Sequence, residues 1–211
     1  MNRDASLLAH DAFLSPSGET QTADYEFIDL AEFFAGERPL EIEIGCGKAN
    51  VLAARAQQHP GIHFLGMDRI VKWMKRRKER IDKAGQNNLR LVKAEAREFI
   101  ERHVPRERVS VFYIYFPDPW PKRRHRKRRL VNAAFLVLLY DRLSCGGMIE
   151  IATDDEDYFA AMKKAAGLSG LAWQHVRERI NQPFLGGGLK TNYELKYLAQ
   201  GKAVYYLELA K

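Results

Sequence analysis

The chain has 211 residues, 46% of them hydrophobic, enough to bury one good core, so one folded domain is expected. Its formal net charge is +7, and the run 122–129 alone holds seven cations, so the rest is neutral and the basicity is local. A local patch points to a polyanionic partner, the competing reading being a solvated charge run or targeting tag. The absence of any membrane-length apolar stretch, of a CxxC and of a secretory signal fits a protein of the reducing cytoplasm.

Residues 1–23 are polar, carry Ser-Pro-Ser-Gly and read as an arm. Asp24 can cap a short helix whose Phe27, Leu30, Phe33 and Phe34 share one face and which ends at Gly36. The expected division is an N-terminal arm and short helix over 1–36 and a single domain over 37–211. After Pro39 short apolar strands at 40–44, 62–68, 89–93, 109–116 and 148–153 alternate with helical patterns at 49–58, 70–83, 96–103 and 130–143. Such alternation implies right-handed crossovers and a parallel sheet covered on both faces. Segment 109–116 is apolar almost throughout, as a central strand should be. Beyond 154–167, strands near 173–177 and 203–209 flank a loop carrying Gly186, Gly187 and Gly188. The expected fold is α/β and doubly wound, with mixed strands at its end. His59 and His63 are four apart, but Pro60 and Gly61 break any helix between them, so no metal site is expected there.

Ligands of such sheets lie beyond the carboxyl ends of the strands, where strand order reverses. The first strand runs into 41-EIEIGCGKAN-50, with Glu43 just before Gly45 and Gly47; the second ends in Asp68, the third in Lys93-Ala94-Glu95, the fourth in Pro117-Asp118. Asp68 stands where the ribose hydroxyls of a nucleoside cofactor need an acceptor. A dinucleotide fingerprint requires Gly or Ala at its sixth position, which here is Asn50, and Glu43 would repel a pyrophosphate. S-adenosylmethionine has no phosphate and carries a sulfonium and an ammonium, which suit acids at four successive strand ends. Any one of these acids alone could equally be a solvated turn residue.

The motifs 43-EIGCG-47, 66-GMD-68, 116-FPDPWPK-122, 152-ATD-154 and 191-TNYE-194 occur in that order across nearly the whole chain beyond residue 40. In them the chain resembles the bacterial tRNA (guanine-N7)-methyltransferases, enzymes of the class I, Rossmann-like methyltransferase fold, mostly parallel with an antiparallel strand at the C-terminal end. The FPDPW element and the late T-x-Y-E are far more specific than the glycine turn. The resemblance implies methyl transfer from S-adenosylmethionine to N7 of a guanosine in the tRNA variable loop (position 46), with tRNA as partner, no metal, no membrane, and a monomer or homodimer. It implies that Glu43, Gly45, Gly47, Asp68, Glu95 and Asp118 bind the cofactor, with Asp118 also catalytic. It assigns the tRNA guanosine to Lys122, Asp154, Thr191, Asn192, Tyr193 and Glu194. Asn192 stands where a basic residue is common, and Ala49 replaces a frequent third glycine, a change expected to matter little.

Pro117, Pro119 and Pro121 fix their own φ and bias the residues before them away from helix, so the loop is expected to be extended and stiff. Two roles are open to Trp120: stacking on an extracted base, or lying as a lid on the sheet. The cations after Lys122 suit phosphate contacts, which set register without reading sequence. A second basic group, 75-KRRKER-80, also reads as an exposed helix face. Thr191 and Glu194 have the spacing of a capping box, which is compatible with a binding role.

Two other functions fit less well. Methyltransferases acting on exocyclic amines usually carry Asp/Asn-Pro-Pro-aromatic, whereas Asp118-Pro119-Trp120 lacks the second proline. A non-catalytic RNA-binding subunit gains nothing from strand-end acids near RNA.

Overall fold

The computed structural model describes residues 30–34, 36–70, 81, 85–184 and 189–211. The expected arm at 1–23, most of the helix from Asp24, the helix at 70–83 with its basic group, and the three glycines at 186–188 lie outside those residues.

In chain order the elements are α1 (Leu30–Phe33), β1 (Leu40–Ile44), α2 (Asn50–Gln58), β2 (His63–Asp68), β3 (Leu89–Lys93), α3 (Ala96–His103) and β4 (Val109–Tyr115). A 3-10 helix (Arg123–Arg128), α4 (Ala133–Arg142), β5 (Leu143–Thr153), α5 (Glu156–Leu168), β6 (His175–Ile180), α6 (Asn192–Ala199) and β7 (Tyr205–Ala210) follow. The strands form one sheet of order β3-β2-β1-β4-β5-β7-β6. β1 to β5 are parallel, and β7 pairs antiparallel with both β5 and β6. Strand order reverses between β1 and β4, which places the ligand crevice of this fold at their carboxyl ends.

The sequence reading locates β1 and β3 to the residue and the other parallel strands within one residue, except β5. That strand begins at Leu143, because Leu143 pairs with Val109 while Met148 pairs with Val111, and the residues between them bulge out. The 3-10 helix and the body of α6 were not expected.

The two faces of the sheet differ, as the period of two requires. One carries Leu40, Ile42, Ile44, Leu65, Met67, Phe112, Ile114, Ile149 and Ile151, packed with Phe99 and Ile100 of α3, Phe135, Leu136 and Leu139 of α4, and Tyr158 and Met162 of α5. The other carries a polar row. Gly66, Glu43, Tyr113, Glu150, Glu208 and Arg177 are register neighbours across β2, β1, β4, β5, β7 and β6. Below it, Arg55 of α2 forms a buried ion pair with Glu41 at 2.9 Å, and the Tyr113 hydroxyl donates to the same carboxylate at 2.7 Å.

Helix starts are capped by side chains the sequence supplies. Asn132 accepts from Phe135 N–H, and Asp155 from Tyr158 N–H. Ala49 caps α2 at φ 48 with no side-chain bond. Left-handed backbone costs an L residue about 1–2 kcal/mol, so the missing glycine does matter, though burial of the Ala49 methyl group offsets part of that cost.

Candidate active site

The turn after β1 gathers three of the predicted cofactor residues. Glu43 is buried there, and burial followed by the nearby Asp68 carboxylate pushes its carboxyl from 4.5 up to about 8. Among the described residues none gives Glu43 a hydrogen bond or a counter-ion. Gly45 and Gly47 adopt φ 77 and 50, with open space around both, so the dihedral rather than crowding selects glycine. Gly45 and Cys46 donate their N–H groups to the Met67 carbonyl at 2.8 and 3.0 Å. Gly47 N–H donates to Asp68 Oδ2 at 2.8 Å, and Ile70 N–H to Oδ1 at 2.9 Å. Asp68 therefore braces the turn, while each of its oxygens keeps a lone pair for a ligand. Gly66 answers to packing instead: a Cβ there would lie 2.7 Å from a Leu91 methyl group and 3.0 Å from Cys46 Sγ.

Glu95 ends the third strand's exit as the cap of α3, its Oε2 accepting Glu98 N–H at 2.9 Å. Asp118 is exposed and makes no hydrogen bond or ion pair with another described residue. The loop that carries it is not simply extended. Phe116 and Trp120, each preceding a proline, adopt φ 52 and 44. The prolines disfavour right-handed helix before them, and the chain turns sharply through the left-handed region instead. Such backbone persists only where surroundings hold it. Here Arg129 Nε donates to the Pro119 carbonyl at 2.8 Å, its guanidinium lies 4.6 Å from the Tyr158 ring centroid, and Nη2 reaches Asp157 at 2.6 Å.

Arg129 is thus a buried staple rather than a phosphate contact. Arg126 shares Asp157 at 3.1 Å. Arg123, Arg124, Lys127 and Arg128 of the 3-10 helix, and Lys122 before it, are exposed. Trp120 packs on the 3-10 helix, perpendicular to the His125 ring at 5.8 Å and beneath the Arg128 guanidinium at 5.0 Å, and not as a lid on the sheet. Proximity in the chain and the attraction of a cation for an indole face explain the choice.

On the other side of Phe116 lies α6. Its ring is 5.9 Å from Tyr193 and 5.5 Å from Tyr197, and Tyr193 stacks against Tyr197 at 6.3 Å. Burial, and then the charge of Asp154 just past β5, hold the Tyr197 hydroxyl above its ordinary pKa. Thr191 and Glu194 form the capping box: Glu194 N–H donates to Thr191 Oγ1 at 3.0 Å, and Thr191 N–H to Glu194 Oε2 at 3.4 Å. Glu194 is buried, with Lys190 Nζ 3.5 Å from its Oε1, whereas Asn192 and Tyr193 are exposed. The root of the Asp118 loop and α6 therefore meet through Phe116. Sequence reasoning missed Tyr197, and it missed Glu150, whose Oε1 accepts from the Tyr115 hydroxyl at 2.5 Å and Oε2 from Phe184 N–H at 2.6 Å. The spacing of Tyr193 and Tyr197 on one helix face was the available signal for the first; nothing local marked the second.

Residues 37–207 match the family described as "Putative methyltransferase". Over 200 residues the chain is 34% identical to the tRNA (guanine-N(7)-)-methyltransferase of Geobacter metallireducens, covering 94% of this chain and 92% of that one. It is 30% identical over 206 residues to the enzyme of the same name from Geobacillus kaustophilus, covering 97% and 92%. Among solved structures, the 16S rRNA methyltransferase KamB superposes with a TM-score of 0.62 at 14% identity, covering 88% of this chain and 94% of that one. The antibiotic-resistance methyltransferase Kmr gives 0.59 at 16%, covering 86% and 90%. These likenesses carry the fold, Rossmann-like with a mostly parallel sheet and antiparallel strands at its C-terminal end. The identity to the named relatives, sustained over nearly the whole chain, carries more: this chain belongs to the tRNA (guanine-N(7)-)-methyltransferase family.

Proposed function

We propose that this protein transfers a methyl group from S-adenosylmethionine to N7 of a guanosine in the variable loop of tRNA. The observation that carries the reading is Glu43, a buried carboxylate with no cation partner among the described residues, placed at the switch point beside β4, whose exit loop carries the exposed carboxylate of Asp118. A ligand bringing its own positive charge suits that pocket; a pyrophosphate does not. Glu43 would hold the ammonium, Asp68 the ribose hydroxyls, and the Gly45–Gly47 turn would let the backbone come close. Glu95 keeps one carboxylate oxygen beyond its cap for the nucleoside. When bound, S-adenosylmethionine supplies an electrophilic methyl group.

Guanine N7 carries a lone pair and no proton, so no general base is needed to create the nucleophile. The residues have to aim the base and stabilise a ring that becomes cationic. Asp118, on a loop pinned by Arg129, offers a fixed negative charge for that purpose. Asp154, whose charge acts on Tyr197 of α6, adds a second negative charge on the guanosine side. Exposed Tyr193 and Asn192 face outward on the first turn of α6, where an aromatic ring suits stacking on a splayed base. Lys122 and the exposed cations of the 3-10 helix would take tRNA phosphates. Among the described residues no helix is long and apolar enough to cross a membrane.

Incubation with tRNA and labelled S-adenosylmethionine, followed by mapping of the modified nucleotide, tests the reading. N7-methylguanosine in the variable loop is expected. Label on an exocyclic amine, or tRNA binding without transfer, would overturn it.

A further inference from the structure

Glu150 is fully buried in β5, amid the aromatic cluster of Tyr115, Phe116, Phe184, Tyr197 and Tyr206. A carboxylate is costly in such a place unless donors satisfy it. Tyr115 and Phe184 are donors to it, and both belong to segments flanking the proposed guanosine site. Tyr115, whose hydroxyl meets Oε1 at 2.5 Å, is the last residue of β4, directly before Phe116 and the Asp118 loop. Phe184, whose N–H meets Oε2 at 2.6 Å, lies on the stretch leading from β6 toward Thr191 and α6. The Phe184 ring is gripped in turn by Arg179 at 4.2 Å and Arg177 at 5.4 Å. The neighbouring carboxylate, Glu208, is taken up by Arg177 and His175 and does not compete for these donors.

We infer that Glu150 is a positioning residue for the tRNA side of the reaction, one carboxylate that sets the root of the Asp118 loop and the approach to α6 relative to each other. The inference rests on the proposed transfer to tRNA guanosine. Tyr115 remains the donor in this pair, because burial and then the Glu150 charge hold its hydroxyl far from ionisation. Phe116, one residue on, carries the setting to Tyr193 and Tyr197 through its ring contacts. The hydrogen bonds that Glu150 accepts from Tyr115 and Phe184 lie outside the Gly45–Gly47 turn.

The test compares Glu150→Ala, Glu150→Gln and Tyr115→Phe. For Glu150→Ala, kcat/KM for tRNA should fall about ten- to a hundredfold, the scale of a small misplacement. S-adenosylmethionine affinity should stay at the parent value, and exchange of the Phe184 amide proton, followed by NMR, should accelerate. Glu150→Gln should recover most activity, since its carbonyl can accept from Phe184 while its amide donates to a rotated Tyr115 hydroxyl. Tyr115→Phe should lose part of the activity and add nothing in the Glu150→Ala background, the signature of a shared interaction. Parent-like tRNA kinetics in folded Glu150→Ala, or an equal loss of cofactor affinity, would overturn the inference. If Glu150→Ala does not fold, parent-like kinetics of Tyr115→Phe would overturn it. Should the parent itself fail to methylate tRNA, the proposed function falls. The positioning role is then decided by Phe184 exchange and by the Glu150–Tyr115 coupling in thermal stability, and unchanged exchange with additive effects sinks it.

Discussion

Gly47 donates its backbone N–H to the carboxylate of Asp68, 21 residues away, at 2.8 Å. The acid expected to serve a ligand therefore also shapes the turn on which that ligand would rest. Replacing Asp68 with Ala should remove both functions and weaken S-adenosylmethionine binding by roughly tenfold to a hundredfold, the worth of about 1.5–3 kcal/mol for bonds to a charged acceptor. Calorimetry on folded variant decides; an unchanged Kd takes Asp68 out of the site.

Glu43 gives the site a pH dependence. Its carboxyl titrates near 8 when folded and at 4.5 when free of the fold, so between those values the folded chain binds more protons than the unfolded one. Stability from this group is complete below 4.5 and is lost as pH rises through 8. Glu43→Gln should remove that slope and raise stability at pH 8 relative to the parent, by at most about 5 kcal/mol. An ammonium ligand favours the ionised form, so parent affinity for S-adenosylmethionine should climb as pH rises toward about 8 while that of Glu43→Gln stays low and flat. Parallel melting curves across pH for the two proteins would refute the assignment.

Asp118→Asn preserves the loop's shape and removes its charge. Turnover should drop steeply with tRNA affinity nearly intact, because the charge acts on the cation that forms during transfer. Steady-state kinetics within a few-fold of the parent would make Asp118 a structural residue.

The basic run divides into two classes that salt dependence can separate. Arg123, Arg124 and Lys127 are exposed with no carboxylate partner among the described residues. Changing all three to Gln should flatten the slope of log K for tRNA against log salt by roughly two to three units. Arg129→Gln should leave the slope close to that of the parent and lower the melting temperature instead, since Arg129 joins Pro119, Tyr158 and Asp157. Filter binding from low to moderate salt gives both numbers. Equal slopes for the triple variant and the parent would mean that phosphates bind elsewhere.

Much of this could be read from local pattern. Strand 40–44 and its acid Glu43 stand out because apolar alternation stops at glycines, and Thr191 with Glu194 announces a helix start by spacing alone. What stayed hidden depends on partners distant in sequence or on dihedrals. Arg129 looks like one more cation in a run until Asp157 closes on it from α5. Glu150 is a single acid in an apolar strand, and its donors are 35 and 34 residues away. Proline says which backbone is disfavoured at Phe116 and Trp120, and it leaves open which of the remaining conformations the fold selects.

The packing of Trp120 gives the molecule an intrinsic optical probe. The indole lies between an imidazole edge and a guanidinium that belongs to the proposed RNA-facing helix. If Arg128 turns to a phosphate, the indole loses the cation over its face, and its fluorescence changes without any attached dye. Trp120 is one of only three tryptophans in the chain, so a Trp120→Phe subtraction isolates its signal. Stopped-flow mixing can then time the arrival of the polyanion separately from the methyl transfer that follows.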